Sequence, residues 1–398
     1  MKSTTVIVIG GGVTGLSTAY NLARKKYGRI ILLDKETVGD GSSSRAAGII
    51  TGLLWSETGV LARKKCLALF RELSEELKGY SFREVGCLNL HGPQSWLEAQ
   101  KLLPMYERLG APFETVDAAN IRRRWPALTP DEQSIGLFDP LGGYSEPDEY
   151  IPALARKDRE LGVEICEGQE VSGFLTRGGR VIGVKTNAGD IHGDAVICTV
   201  LAWTLKVMEP LGTQFPMKAF VHQRYLTEPF PGPINIPAVN ANPLGGYVRP
   251  AIENRLLVGV ETSMREEYRV PSRDFRLSSL SAPAALKGEV SRKFATLVPH
   301  LEGTLCESER VGLITFSMDG EPILGPVSQL PGFYVGTAFH SGGFAYNPVS
   351  GLLLAEYVAD GHTSIDVTAF SPERFEKKAI EQYLAAILRQ RDAFQRRH

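Results

Sequence analysis

Three glycines, placed where a buried strand turns into a helix, constrain this chain more than anything else in it. Val6, Ile7, Val8 and Ile9 make a short β-branched and apolar run, the pattern of a strand covered on both faces in a parallel sheet. Gly10, Gly12 and Gly15 follow as G-x-G-x-x-G, and Leu16, Ala19, Tyr20 and Ala23 then recur at helical spacing. In that setting Gly10 allows the tight turn, Gly12 lets a pyrophosphate approach the backbone, and Gly15 lets the helix pack closely on the strand. The first helical turn, with Val13 and Thr14, offers N–H groups to the phosphates. A second apolar strand, residues 30–33, ends at Asp34, the expected acceptor for ribose hydroxyls, with Lys35 beside it. Chance glycines would not bring strand, helix, strand and acid into this register. A dinucleotide is expected here.

At 398 residues the chain is too long for one compact core, and two interleaved domains are expected. Residues 1–84, 146–214 and 311–398 read as an α/β, Rossmann-type dinucleotide-binding domain, assigned to FAD by its antiparallel meander; residues 85–145 and 215–310 read as an interleaved β-rich substrate domain. After an amphipathic helix over 61–77 come a strand at 87–90, a helix carrying Trp96, Ala99, Leu103 and Tyr106, and the Pro- and Gly-rich GLFDPLGGYSEPDEY. A helix over 150–161 then leads into EVSGFLTRGGRVIGVKTNAGDIHGDAVICT, whose turns predict a three-stranded antiparallel meander. Such a meander is the usual crossover of flavoprotein dinucleotide domains and favours FAD over NAD. The alternating strands of 215–310 are expected to form a platform over the cofactor. Near the end, GFYVGTAFHSGGFAYNPVSGLLLAEY holds a strand, a turn at Gly342 and Gly343, and a helix from about 349 to 357. Its start is a second place for N–H groups to face an anion.

The 44 basic and 45 acidic residues nearly cancel, so no global field draws nucleic acid or an anionic membrane. No apolar run approaches the roughly 18 residues of a spanning helix, and a soluble protein is expected. The five cysteines are scattered without a C-x-x-C pair. That predicts no metal site, and free thiols in a reducing, cytoplasmic setting.

VIVIGGGVTG with Asp34, GSSSRAAG at 41–48, the meander, HQRYLTEP at 222–229, YVRP with RLLVG, and MDGEPILGP before GFYVGTAFHSGGF follow one another nearly end to end. In these motifs the sequence resembles the FAD-dependent amine and amino-acid oxidoreductases of the D-amino-acid oxidase superfamily. Sarcosine oxidase and its heterotetrameric β subunit, glycine oxidase and dimethylglycine dehydrogenase are among them. The resemblance implies an extended FAD with substrate above the flavin. Ser42, Ser43, Arg45, Ala46, Ala47 and Gly48 should line pyrophosphate and flavin, and the Val171 backbone should meet the adenine. Gly342, Gly343, Phe344 and Ala345 should bind at the pyrimidine edge, where reduced flavin carries negative charge. Relatives that tether flavin place a cysteine at the position of Gly312 or a histidine at that of Arg45, so non-covalent FAD is expected.

The substrate contacts depart from the family pattern. A glycine oxidase arginine falls here at Ile314, and a sarcosine oxidase arginine and lysine fall at Thr51 and Ala345. The oxygen-activating lysine falls at Leu257 and the active-site histidine at Glu261. Replacement anchors are Tyr247 and Arg249, on a strand expected to face the flavin, His340 before the glycine turn, and Glu261; Arg45 and Arg224 are further candidates. The favoured reaction is hydride transfer from the carbon beside an amine or amino-acid nitrogen to flavin N5, with the imine then hydrolysed. Oxygen, an electron carrier or a partner subunit would take the electrons. Two alternatives remain: same-fold oxidation of a 2-hydroxy acid with His340 as base, and a flavin-binding subunit with a degenerate substrate site. Leu201 stands where relatives carry a glycine near the cofactor.

Overall fold

The computed structural model describes residues 4–340 and 342–393. Its two large sheets draw on different stretches of chain. The first has six strands in the order Ile323–Pro326, Phe333–Thr337, Ala195–Cys198, Thr5–Ile9, Arg29–Leu33 and Glu164–Cys166. All neighbours run parallel except the first pair. Val6, Val8, Ile30 and Leu32 pack into one core, and Ile7, Ile9, Ile31 and Leu33 into another on the opposite face. Burial on both sides is why these strands are apolar at every step. The helix Val13–Arg24 packs on the helix Gly343–Ala359, which also touches Glu57–Glu76. Gly351 permits that approach, since a Cβ there would lie 2.4 Å from the Ser17 backbone. The expected meander is present as Val171–Arg177, Arg180–Thr186 and Gly189–His192.

The second sheet has eight strands in the order Cys306–Ser317, Met217–Thr227, Arg255–Val260, Gly246–Ala251, Ala238–Ala241, Cys87–His91, Ile135–Asp139 and Glu114–Asp117. One face packs through Tyr225, Val248 and Val258 onto Phe294 of the helix Ala284–Ala295. Alternate residues such as His222, Tyr247, Gly312 and Ile314 fall on the other face, as the period of two requires.

Three expected boundaries move. The division at 310/311 falls inside the strand Cys306–Ser317, which pairs with Met217–Thr227 along its length, so the second sheet runs on to Ser317. The helix around Trp96 is three short pieces, Pro93–Ala99, Gln100–Leu102 and Leu103–Arg108, because Pro104 cannot donate within a continuous helix. The last long helix begins at Gly343, well before 349. Pro348 inside it cannot bond the Phe344 carbonyl, and Asn347 Nδ2 does so instead at 2.6 Å. No helix of the described residues is long and apolar enough to cross a membrane.

Candidate active site

One continuous cavity runs from the first glycine turn, past both sheets, to the start of the helix Gly343–Ala359. At its first end Gly10 adopts a φ of 100°, and a Cβ there would lie 2.9 Å from the Thr199 carbonyl oxygen. Gly12 opens the helix Val13–Arg24 without a side-chain cap, and the Val13 N–H donates to Ser43 Oγ at 3.0 Å. The glycine turn and the serine loop therefore meet around the space a diphosphate needs. Gly15 does not border the cavity. A Cβ there would lie 1.9 Å from the Gly10 carbonyl oxygen, so this glycine serves helix packing.

The Asp34 carboxylate accepts from Gly11 N–H at 2.7 Å and Glu36 N–H at 2.8 Å; burial pushes its pKa up while those bonds pull it back. Lys35 also borders the cavity, but its Nζ donates to the carbonyl oxygens of Arg273, at 2.7 Å, and Phe275, and lies over the Trp203 ring. Burial lowers its pKa. Beside Val171, the buried Gln169 Oε1 has no hydrogen-bond donor among the described residues. A nucleoside donor would satisfy it.

Further along, Ser42 Oγ donates to the Leu313 carbonyl at 2.7 Å, fixing the loop to the eight-stranded sheet. Arg45 turns its guanidinium back to the carbonyls of Asp40 and Gly41. Its stem lies against Gly312, where a Cβ would come 3.0 Å from Arg45 Cδ. The two positions at which a flavin tether could stand thus face each other, and neither carries a nucleophile. Ala46, Ala47 and Gly48 continue the lining. Gly342, Gly343, Phe344 and Ala345 border the far end, where the helix again starts without a side-chain cap. A glycine cradle, an orphaned acceptor and a second uncapped helix start suit an extended dinucleotide with its charged diphosphate at the first helix and a neutral nucleoside donor at Gln169.

Over this track sits a second set of side chains. Tyr247 lies across Gly259, where a Cβ would fall 2.0 Å from its ring, and its Oη is 3.0 Å from His222 Nε2. Burial pushes the phenol up to about 12, so it stays neutral at physiological pH. His340 is edge-on between Trp55 and Phe316, with centroid distances of 5.0 and 4.4 Å, and holds a φ of 46°. Glu261 and Ile314 also border the cavity. Leu201 does too, at a φ of 45° that glycine would adopt without strain.

Arg249 is different, and the expectation of a substrate anchor there needs correction. Its guanidinium is fully buried, donates to both oxygens of Glu146 at 2.7 and 2.9 Å and from Nε to the Ala47 carbonyl at 2.6 Å, and does not border the cavity. A desolvated cation takes a carboxylate within reach, and here that carboxylate comes from the connection between the sheets. Arg224 donates from Nη2 to the Ser44 carbonyl at 3.1 Å, its buried Nε has no hydrogen-bond partner among the described residues, and it does not border the cavity; burial and the neighbouring Arg310 and Arg249 lower its pKa to about 10. Leu257 is core.

Several cavity residues escaped the sequence reading. Asn240 Nδ2 donates to Asn89 Oδ1 at 2.8 Å, and burial holds His91 down at about 4, hence neutral. Alternation in CLNLH could have placed Asn89 and His91 on one face. Arg63 and Tyr346, brought in by two helices, had no such signal. Beyond them the cavity reaches Leu54, Leu90, Ala99, Leu102, Tyr106 and Leu137.

Comparison with known proteins places this geometry. The chain is 28% identical over 393 residues to the sarcosine oxidase subunit beta of Arthrobacter sp., covering 94% of this chain and 92% of that one. It is 27% identical over 383 residues to the 4-methylaminobutanoate oxidase (formaldehyde-forming) of Paenarthrobacter nicotinovorans, covering 93% of this chain but 45% of that longer protein. The solved L-proline dehydrogenase of P. horikoshii superposes with a TM-score of 0.84 at 25% identity, covering 94% of this chain and 98% of that one. The DAO family model, FAD dependent oxidoreductase, matches residues 5–357. A match of that extent decides the kind of protein: the chain belongs to the DAO family and is an FAD-dependent oxidoreductase.

Proposed function

We propose that the protein oxidises the C–N bond of a small amine or N-substituted amino acid, using dissociable FAD. The observation that carries this reading is the lining of the cavity. Besides the residues expected to hold the cofactor it includes Tyr247 and His340 together with Leu54, Leu90, Leu102, Leu137 and Tyr106, more apolar surface than a dinucleotide track alone requires. The names of the relatives support it, since sarcosine, 4-methylaminobutanoate and proline are all secondary amines bearing a carboxylate.

Bound FAD supplies an acceptor for a hydride. Gly10, Gly12, Val13, Thr14, Ser42 and Ser43 would hold its diphosphate, Asp34 its ribose and the Val171 backbone its adenine. The N–H groups of Gly342 to Ala345 would oppose the charge that builds on the pyrimidine edge, a fixed dipole that needs no reorganisation. Tyr247, a neutral phenol, would hydrogen-bond an uncharged amine, and the leucines of the lining would shield the reacting carbon from water. Loss of hydride from a carbon beside a neutral amine needs no base. The imine product would hydrolyse on release.

Relatives named as oxidase, dehydrogenase and subunit beta support oxygen, an electron carrier or a partner subunit as the next acceptor. All five cysteines are free and four are buried, which supports a cytoplasmic setting. The domain reading becomes an FAD-binding part and a substrate part that extends to Ser317. The test is anaerobic mixing of FAD-loaded protein with panels of secondary amines, amino acids and 2-hydroxy acids. Bleaching of the flavin band by amines is expected; bleaching by hydroxy acids alone would overturn the reading.

A further inference from the structure

Four lysine or arginine side chains border the cavity: Lys35, Arg45, Arg63 and Arg273. Three of them are committed. Lys35 holds the carbonyls of Arg273 and Phe275, Arg45 those of Asp40 and Gly41, and Arg273 that of Ser172. Arg63 is not. The residue is 5% exposed, and its Nε and Nη1 are buried without any hydrogen-bond partner among the described residues. A guanidinium keeps its charge in a protein, and an unpaired buried one is costly unless a ligand completes it.

The surroundings show where that ligand would sit. Arg63 lies on the helix Glu57–Glu76, with its guanidinium carbon 4.1 Å above the Tyr346 ring. Its Nη2 reaches the start of the helix Gly343–Ala359, so close to Gly342 that a Cβ there would be 2.6 Å away. One turn further on, Cys66 Sγ donates to the Ala345 carbonyl at 2.8 Å and locks the two helices in this register. A cation with unused donors and an uncapped helix start thus converge on one corner of the cavity.

We propose that Arg63 is the carboxylate anchor of the substrate site, the specificity element that makes an amino acid, rather than a bare amine, the preferred substrate. This rests on the amine-oxidising reading above. The planar fork suits a carboxylate, and Arg63 supplies it from its unused Nε and Nη1, leaving the helix-start N–H groups to the flavin. The charge missing at Thr51, Ile314 and Ala345 is supplied from a different helix.

The test uses FAD-loaded protein titrated with acetate and methoxyacetate and, in parallel, with the matching neutral amides, read by the change in flavin absorbance. Arg63→Met keeps the stem over Tyr346 and removes the charge. Carboxylate dissociation constants are expected to rise at least about 30-fold, with amide binding and FAD content within about threefold of the parent. Arg63→Lys restores the charge without the fork and should recover part of the loss. If Arg63→Met does not fold, Arg63→Lys alone should still weaken carboxylates about fivefold or more. Unchanged carboxylate binding in either folded variant overturns the proposal. So does a fall in flavin reduction potential with carboxylate binding intact, because the charge would then serve reduced flavin. The two readings fail separately. Arg63-dependent carboxylate binding in a protein that no amine reduces leaves this inference standing and removes the amine chemistry. Equal reduction of parent and Arg63→Met by amino acids does the reverse.

Discussion

The two sheets line the cavity by opposite means. The six-stranded sheet presents backbone: glycines without Cβ atoms, helix starts without caps, and strands buried on both faces. The eight-stranded sheet presents side chains from one face only, drawn from strands as far apart as residues 89 and 314. A backbone cradle tolerates little change, because what matters is the absence of atoms. A side-chain face can move its charges from one strand or helix to another and keep the same overall shape.

That contrast can be broken or sharpened by experiment. The largest effect is expected at the tie between the sheets. Glu146→Ala leaves Arg249 buried and unpaired and should cost about 3–5 kcal/mol, seen as a lower denaturation midpoint. If instead stability holds and substrate binding collapses, Arg249 belongs to the site after all. Next comes Gly15→Val, which drives a side chain into the Gly10 carbonyl oxygen. Overpacking of about 3 kcal/mol should weaken FAD binding by roughly 100-fold in a fluorescence titration. A third test concerns Asp158, a buried carboxyl of the dinucleotide half with no hydrogen-bond partner on either oxygen among the described residues. Burial raises its pKa well above the ordinary 3.8, so native stability is full below that value and falls as pH rises. Asp158→Asn should therefore raise the melting temperature by more at pH 8 than at pH 5, and a pH-independent difference would contradict the burial argument. The smallest effect is expected on the adaptable face. Tyr247→Phe deletes one hydrogen bond to His222, worth about 1 kcal/mol, and should lower kcat/KM about five- to tenfold with FAD content unchanged.

The same contrast explains what the sequence could tell. Gly10, Gly12, Gly15 and Asp34 lie within one strand–helix–strand unit, where spacing along the chain is spacing in the fold. Leu201 could be flagged by resemblance, because relatives carry a glycine near there; the backbone angle it holds, a φ of 45°, is legible only in the fold. Arg249 was misjudged for the complementary reason. Its neighbour Tyr247, two residues before it on the strand, borders the cavity, but the length of an arginine lets Arg249 reach Glu146, 103 residues earlier, and no local pattern encodes that choice. Arg63 was invisible because it reads as an ordinary polar position in LARKKCLALF. Only the packing of two helices distant in sequence turns it toward the cavity.

The Lys35 contact ties two distant stretches of chain together. Its amine grips two carbonyls of the 273–275 segment, Trp203 Nε1 donates to the second of them at 3.1 Å, and Arg276 pairs with Glu36. A short segment of one half of the molecule is thereby buckled to the other where Lys35 and Arg273 both border the cavity. Undoing that buckle with Lys35→Met is expected to speed the loss of FAD, read as fading of the yellow colour on dialysis. An unchanged rate would make the buckle a purely structural tie.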